Sequence, residues 1–377
     1  MKTIYLLLIL ALANFNPFTA QGQQRLQSQK SGNALDMASH PKIIALDSAI
    51  KNGQFKNITS ILVAQDGVTI YEKYYNGYAE ASHHDTRSAT KSITGMLIGL
   101  AIENGFIPSE KEPVAAYFED KQPFLNPDPR KQEITIEDLL TMSATLECDD
   151  DNQFSMGNEE RMYLIEDYYR FFLDLPIRGY AGFATKPEEL PFGRSFNYCT
   201  AGTVLLGGIL ERSTGMKLED FADQYLFQPL GIENVKWQIT PMGTPMTGGG
   251  LGLKSRDYLK LAMLMQQEGQ WLGKQLLSQD WVRKSATPQV FVRDFQGSKY
   301  HYGYLFWLQD LGPDDSYPTF YMSGNGGSKI AVIPELSLTV VITSSMYGSF
   351  QGHLQSQEIL SDYLINAILD HNPEQEK

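Results

Sequence analysis

A strongly apolar run occupies residues 93–102, directly after the polar stretch 87–92. The run lacks proline, is too long for an ordinary strand, and stops at Asn104 and Gly105, a common signal for the end of a helix. Because apolar residues cover nearly every side of this segment, the pattern predicts a buried central helix. Ser88 then lies at or just inside its N-terminus.

Shorter patterned segments lie on both sides of this helix. The apolar and β-branched runs that predict strands are 60–64, 68–75, 302–309, 329–333 and 338–343. The helical patterns are 42–51, 135–142, 201–214, 218–225, 255–267 and 358–369. The first two strands are joined by Gln65, Asp66 and Gly67, which is a hairpin turn signal.

Strands at both ends of the chain, with helices between them, predict a single antiparallel sheet. We expect an α+β fold of three layers, in which the sheet has five or more strands and the central helix packs on it. A helical lobe, from about residue 88 to 290, would cover the other side of a cleft. The folded domain is predicted to span residues 41–372.

The N-terminus has the pattern of a secretory signal peptide over residues 1–20. A lysine at position 2 precedes an apolar run at 4–13, and Ala20 is a small residue before the predicted cleavage point. Residues 21–40 are rich in Gln and Ser without periodicity, which predicts a flexible lead-in. We therefore expect a secreted or periplasmic protein, with an uncleaved membrane anchor as the alternative.

The charge of the chain limits its partners. The net charge is −13, and removing the signal peptide with Lys2 makes it one unit more negative. Such a surface disfavours nucleic acid and anionic membranes. We expect a small-molecule or peptide-like substrate, no nucleic-acid partner, and no membrane partner after signal cleavage; the oligomeric state is left open.

The two cysteines, Cys148 and Cys199, suggest a disulfide in an exported protein. Closing that loop would add roughly 4 kcal/mol to stability; two separate buried thiols are the alternative. The acidic run 149–151 is a weak metal candidate, because such runs are usually solvated. No Cys/His spacing suits zinc, so neither a metal nor a cofactor is predicted.

The candidate chemistry lies at the start of the central helix. Ser88 and Lys91 are three residues apart, which places both side chains on one helix face. A hydroxyl nucleophile needs a base within hydrogen-bond reach, and a lysine that burial keeps neutral can serve. The spacing alone is weak, since Ser39 and Lys42 also match it. That second copy lies in the lead-in with a proline inside it.

Residues 87–92 resemble the first motif of the serine beta-lactamase and penicillin-binding-protein superfamily, closest to its class C-type serine hydrolases. These include esterases, D-amino-acid peptidases and 6-aminohexanoate-dimer hydrolase. Residues 198–200 resemble the second motif, Tyr-x-Asn: Tyr198 matches, and Thr200 stands where Asn is usual. Residues 249–251 and Trp281 resemble further landmarks, in the right order along the chain.

The third motif, usually Lys-Thr-Gly or His-x-Gly on a strand, should lie near residues 323–328, where the basic residue is missing. Its register is open by one to three residues. In the family, that cation helps to hold the carboxylate of a beta-lactam or of a peptide end. Its absence favours ester or amide substrates without that carboxylate, although Arg178 or Arg194 could replace it.

The resemblance implies a beta-lactamase/transpeptidase-like fold and an acyl-enzyme mechanism. Ser88 would attack a carbonyl carbon, and Lys91 and Tyr198 would share the proton transfers; which of the two is the base is left open. The residues implied in oxyanion stabilisation or substrate binding are Ser88, Thr200, Gly324, Asn325, Gly326 and Gly327.

Several alternatives remain. One is a beta-lactamase or D,D-peptidase, and another is a non-catalytic binding protein on the same scaffold. A triad of Ser88 with His83 or His84 is conceivable, although the chain has no Gly-x-Ser-x-Gly elbow; His301 and His353 are read as ordinary surface or strand residues. The aromatic residues that would line a pocket, or pack in the core, are Tyr163, Tyr168, Phe171, Phe172 and Trp307.

Overall fold

The computed structural model describes residues 37–295 and 297–371. The predicted signal peptide and most of the predicted lead-in fall outside these residues. The lead-in prediction is wrong at its end, because Met37–Ser39 form a 3-10 turn with Met37 buried. The His40 side chain then accepts a hydrogen bond from the backbone N–H of Lys42 and caps the first helix.

The helices are short except for two of 15 residues. In chain order they are Pro41–Lys51 (α1), Ala89–Glu103 (α2), Ile136–Leu140 (α3), Glu159–Met162 (α4), Tyr168–Leu173 (α5), Thr200–Thr214 (α6), Leu218–Ala222 (α7), Ser255–Gln266 (α8), Gln279–Ser285 (α9), Gln351–Glu358 (α10) and Asn366–His371 (α11). A π-helical segment, Ile359–Ile365, joins the last two.

The strands form one large sheet and two small ones. In chain order they are Ile58–Gln65 (β1), Val68–Tyr74 (β2), His83–Asp85 (β3), Gly252–Lys254 (β4), Gln270–Trp271 (β5), Lys274–Gln275 (β6), Val290–Phe295 (β7), Ser298–Tyr302 (β8), Trp307–Leu311 (β9), Tyr317–Gly324 (β10), Ser328–Ile333 (β11) and Leu338–Ser344 (β12).

The large sheet has the order β2-β1-β12-β11-β10-β9-β8-β7, and every neighbouring pair is antiparallel. Strand β1 pairs with β12, so the first and last segments of the chain lie side by side. The predicted α+β fold with an antiparallel sheet of five or more strands is confirmed.

Both faces of the sheet are covered, which makes three layers. On β1, Ile61 and Val63 belong to the hydrophobic core on one face, while Leu62 and Ala64 belong to the core on the other. Helices α2 and α8 pack on the second face, and α1 with the C-terminal helices packs on the first. Because both faces are buried, residues 61–64 of β1 form a continuous apolar run instead of alternating.

Helix α2 is buried almost along its whole length, as its apolar pattern predicts. Glycines let a large partner approach it closely. The indole Nε1 of Trp281 donates to the carbonyl of Gly95 at 3.1 Å, and a Cβ on Gly99 would lie 2.5 Å from the indole ring. The packing of Trp281 on α2 fixes the helix that carries Ser88 and Lys91.

One strand prediction in the C-terminal half is wrong, and strand β10 was missed. Residues 302–309 do not form one strand, because the chain leaves the sheet between Tyr302 and Trp307. Leu305 has φ +60° there, and its N–H donates to Leu140 O at 2.9 Å. Strand β10 was not predicted, since Pro318 and a glycine-rich end resemble a loop.

None of the helices in the described part of the chain has both the length and the apolarity needed to cross a bilayer.

Candidate active site

Ser88 and Lys91 meet at the N-terminal end of α2. The Nζ atom of Lys91 donates to Ser88 Oγ at 3.0 Å and to the carbonyl of Gly248 at 2.6 Å. Lys91 is only 1% exposed. Burial lowers the pKa of Lys91, and the carboxyl groups of Glu159 and Asp150 oppose that shift only in part. The pair is therefore a partly exposed hydroxyl beside an amine whose neutral form is favoured.

Tyr198 reaches the same place from a distant part of the sequence. It lies two residues before the first residue of α6, and its ring centroid is 4.9 Å from Lys91 Nζ. Trp307 stacks on it with ring centroids 5.8 Å apart. Burial raises the pKa of Tyr198, and an interaction with the Ser88 hydroxyl lowers it by less. The structure thus brings the three predicted catalytic side chains together, and the phenol keeps its proton at neutral pH.

The acidic run after Cys148 is not simply solvated, contrary to its sequence interpretation. Oδ2 of Asp150 accepts the backbone N–H of Thr200 at 2.7 Å, and Oδ1 accepts that of Glu159 at 3.0 Å. Burial and the nearby Glu159 carboxylate raise the pKa of Asp150 to about 7, while Lys91 acts in the opposite direction. Asp150 is a residue of the site that the sequence analysis missed.

The predicted disulfide between Cys148 and Cys199 is present, with the two Cα atoms 5.5 Å apart. This bond offered the one signal that could have pointed to Asp150. Asp150 lies two residues after Cys148, and Tyr198 lies immediately before Cys199. Pairing the cysteines therefore brings the acidic run to the second motif.

The third motif lies at the end of β10. A Cβ on Gly324 would lie 1.7 Å from the carbonyl oxygen of Thr86, so only glycine allows this approach to the start of α2. Gly326 and Gly327 have φ values of +99° and +90° in the turn to β11. The Asn325 side chain accepts the N–H of Gly348 at 2.7 Å, which ties this turn to the following loop.

The backbone N–H of Ser88 makes no hydrogen bond to any group in residues 37–295 and 297–371. It lies beside the third motif, because the Cβ position on Gly324 is 3.1 Å from Ser88 N. A free backbone donor next to the candidate nucleophile is what an oxyanion site requires.

Neither arginine proposed to replace the missing cation is placed at Ser88. Arg194 is held by Asp138 at 2.6 Å and also pairs with Glu137. Arg178 lies over the ring of Tyr180, 5.1 Å from its centroid. Both guanidinium groups therefore interact elsewhere, and neither replaces the basic residue that is missing from the third motif.

Of the predicted pocket aromatics, Trp307 contacts Tyr198, while Tyr168 and Phe172 are buried core residues. Tyr163 is 45% exposed and donates to Glu159 Oε2 at 3.2 Å. Phe171 is a partly buried residue packed against the core. The sequence analysis missed Phe196 and Tyr302, whose rings lie 5.9 and 5.1 Å from that of Trp307.

The histidine alternative finds no support in the geometry. His83 Nε2 lies 2.7 Å from Asn234 O. His84 Nδ1 lies 3.1 Å from the Thr59 hydroxyl, and its ring stacks on Tyr78. His301 lies on β8 and His353 on α10, as ordinary strand and helix residues. Ser88 therefore has a lysine and a tyrosine as neighbours and no histidine among its described hydrogen-bond partners.

Thr200, the predicted substrate-binding residue, is 1% exposed. A Cβ on Gly248 would lie 2.6 Å from its Cγ2 atom, so the side chain packs against that backbone. Its N–H donates to the Asp150 carboxylate and its hydroxyl also lowers the pKa of that group; the substrate-binding role remains a prediction.

Most of the chain is similar in sequence to known proteins. Residues 47–360 match the family model described as Beta-lactamase. The chain is 24% identical over 251 residues to the 6-aminohexanoate-dimer hydrolase of Paenarthrobacter ureafaciens, a match that covers 64% of this chain and 62% of that relative's length.

Solved structures share the fold. A candidate 6-aminohexanoate-dimer hydrolase from Bacillus anthracis superposes with a TM-score of 0.69 at 18% identity, over 90% of this chain and 87% of the other. EstCE1, a hydrolase with promiscuous acyltransferase activity, gives a TM-score of 0.65 at 16% identity, over 86% of this chain and 98% of the other.

Proposed function

Because the chain belongs to the beta-lactamase family, we propose that it hydrolyses a carboxylic ester or amide through an acyl-enzyme on Ser88. The observation that supports this most directly is the 3.0 Å hydrogen bond from the buried Lys91 amine to Ser88 Oγ. A nucleophile and its base must be within this distance before any acyl transfer can begin.

Lys91 is the general base in this proposal and Tyr198 the general acid. The neutral Lys91 amine takes the Ser88 proton as the Oγ–carbonyl bond forms. When the tetrahedral intermediate collapses, the Tyr198 hydroxyl protonates the leaving oxygen or nitrogen and recovers a proton from the Lys91 ammonium. Burial lowers the pKa of Lys91 and raises that of Tyr198, which suits a base and an acid respectively.

The oxyanion of the intermediate would be bound by the Ser88 N–H and by the backbone N–H of residue 325 or 326, since the N–H of Gly327 already donates to the carbonyl of Gly324 at 3.1 Å. The close approach of Gly324 to residues 86–88 supports this assignment. Water then attacks the acyl-enzyme as Lys91 takes a proton from it. The bond between the acyl carbon and Ser88 Oγ breaks, and the proton passes from Lys91 to Ser88 Oγ as the carboxylic acid leaves.

The substrate class follows from the charges and rings of the site. Residues 323–328 contain no cation that would hold a substrate carboxylate, and Lys329 beside them is buried over the ring of Tyr321. Trp307, Phe196 and Tyr302 present an aromatic cluster beside Tyr198. We infer an ester or amide with an apolar group next to the scissile carbonyl, and we rank a beta-lactam or a peptide terminus below it.

We also propose export from the cytoplasm. The pattern of residues 1–20 motivates this, and the disulfide between Cys148 and Cys199 supports it, because such bonds persist in oxidising compartments. Expression of the whole chain in a bacterial host, followed by N-terminal sequencing of extracytoplasmic protein, tests it. An intact Met1 on cytoplasmic protein alone would contradict it.

The catalytic proposal is tested with Ser88→Ala and with Ser39→Ala as a matched control, since Ser39 belongs to the second Ser-x-x-Lys copy. We expect Ser88→Ala to lose about 1,000-fold or more in kcat/KM for p-nitrophenyl esters and to lose labelling by a fluorophosphonate. Ser39→Ala should behave as wild type. Equal labelling and turnover in Ser88→Ala would refute the proposal.

A substrate panel then separates the alternatives. Turnover of p-nitrophenyl esters or aryl amides without turnover of nitrocefin would support the preferred class. Rapid nitrocefin hydrolysis dependent on Ser88 would favour the beta-lactamase alternative. If the correctly folded protein hydrolyses none of these substrates, the alternative of a binding protein on this scaffold is favoured.

A further inference from the structure

Three consecutive residues of the second motif are each attached to the segment 148–150. The backbone N–H of Asp150 donates to the carbonyl of Tyr198 at 2.8 Å. Cys199 is joined to Cys148 by the disulfide. The N–H of Thr200 donates to the Asp150 carboxylate at 2.7 Å. We call this set of attachments the 148–150 clamp.

The clamp acts at the point where Tyr198 passes into α6. The N-cap residue of this helix makes no side-chain capping bond of its own, so the Asp150 carboxylate supplies the acceptor from another segment. Holding residue 200 by its N–H and residue 198 by its carbonyl fixes the backbone on both sides of Cys199. The direction of the Tyr198 side chain depends on that backbone.

The surroundings of Asp150 connect it to the same site. Lys91 of α2 and the phenol of Tyr198 interact electrostatically with it. From the other side, Glu159 at the start of α4 and Tyr163 just after it face the carboxyl group. Glu159 also donates its backbone N–H to Oδ1 at 3.0 Å. The ionised carboxylate accepts both N–H groups, and its protonation would compromise one of these two bonds.

We propose that Asp150 is a positioning residue for the reaction: its ionised carboxylate holds Tyr198 in place to protonate the leaving group. This rests on the proposed function. Asp150 belongs to none of the three sequence motifs. Its role would make proton donation by Tyr198 dependent on pH near neutrality.

The test compares two substrates with the same acyl group. A p-nitrophenyl ester has a leaving group that departs without a proton, whereas an alkyl ester needs one. For Asp150→Asn we expect kcat/KM to fall about 100-fold for the alkyl ester and about tenfold or less for the p-nitrophenyl ester. Asp149→Asn is the matched control, because the one hydrogen bond that its carboxylate accepts from the described residues comes from the N–H of Asp151, and it should leave both values within about twofold.

The pH profile gives a second readout. The raised pKa of Asp150, about 7, means that the carboxylate is present above that pH and lost below it. In wild type the ratio of alkyl to p-nitrophenyl kcat/KM should therefore fall as the pH is lowered through neutrality. In Asp150→Asn the ratio should be low and independent of pH. The wild-type profile needs no variant, so a ratio that stays constant through neutrality would overturn this role even if Asp150→Asn fails to fold.

The outcomes separate this inference from the function on which it rests. If Ser88→Ala keeps its activity, the proposed function and this role both fail. If activity requires Ser88 but Asp150→Asn lowers both substrates equally, with an unchanged pH dependence of the ratio, Asp150 is only structural and the inference alone fails.

Discussion

The N-terminal ends of α2 and α6 both deliver catalytic side chains, but they are held in different ways. Helix α2 is fixed by packing, with residues 89–101 buried and Trp281 against its glycines. The start of α6 is fixed by a loop, through one disulfide and two hydrogen bonds from the 148–150 clamp. The first end depends on the hydrophobic core, and the second on three specific attachments, of which single substitutions can remove the disulfide and the bond to the Asp150 carboxylate.

The difference suggests how the site can be perturbed. Changes at the first end should alter the nucleophile and its base, or the stability of the whole domain. Changes at the second end should alter the proton donor, and so affect substrates with poor leaving groups most.

The largest effect is expected for Lys91→Met, which removes the base but keeps a long apolar side chain in a buried position. We expect a loss of about 1,000-fold in kcat/KM for both ester types, within the range for general-base removal. The loss should be at least as large for the alkyl ester, since Lys91 in this proposal also returns a proton to Tyr198 when the leaving group departs. Steady-state kinetics with circular dichroism as a folding control measures it. Activity within tenfold of wild type would exclude Lys91 as the base.

The catalytic residues at the N-terminal end of α2 were predictable from the sequence, and those at the N-terminal end of α6 only in part. Ser88 and Lys91 lie on one helix three residues apart, and the apolar run already indicates a buried helix. Tyr198 could be named only through its resemblance to a motif. Asp150 could not be named, because a run of acidic residues has the same appearance whether it is solvated or bound to backbone N–H groups.

The fold shows the same division. The sheet was predictable from apolar strands such as β1 and β12, whose period and composition are clear. The break between Tyr302 and Trp307 was not, because an aromatic run can be buried as a strand or as a turn inside the core. Strand β10 was hidden by Pro318 and by the glycines that the close approach to Thr86 requires.

The next largest effect is expected for the double variant Cys148→Ser/Cys199→Ser, which removes the disulfide of the 148–150 clamp. Loss of a cross-link of this sequence separation, 51 residues, should lower the free energy of unfolding by about 4 kcal/mol. Denaturant unfolding measures this, and kcat/KM for the alkyl ester should fall more than for the p-nitrophenyl ester. Wild type treated with reductant is the matched control. Equal losses for both esters would show that the disulfide stabilises the domain without positioning Tyr198.

A smaller effect is expected for Gly99→Ala on α2. The new Cβ would lie 2.5 Å from the Trp281 ring, and such overpacking typically costs about 1–3 kcal/mol in stability. Because it acts through the core, the ratio of alkyl to p-nitrophenyl kcat/KM should stay at the wild-type value. Adding Trp281→Phe, which makes room, should recover part of the loss in thermal unfolding. A changed ratio would mean that the two helix ends are not independent.

The smallest effect is expected for Thr200→Val, which separates the backbone of residue 200 from its side chain. The N–H that binds Asp150 is kept. The hydroxyl that is lost lies close enough to lower the pKa of the Asp150 carboxyl, but it makes no hydrogen bond of normal geometry with the described residues. Replacing an unpaired buried hydroxyl by a methyl group is nearly neutral or stabilising. We therefore expect kcat/KM within about threefold of wild type for both esters, and an unchanged or slightly higher melting temperature. A selective rise in KM would instead show that Thr200 binds substrate, as its place in the second motif predicts, and that its side chain becomes accessible when substrate enters.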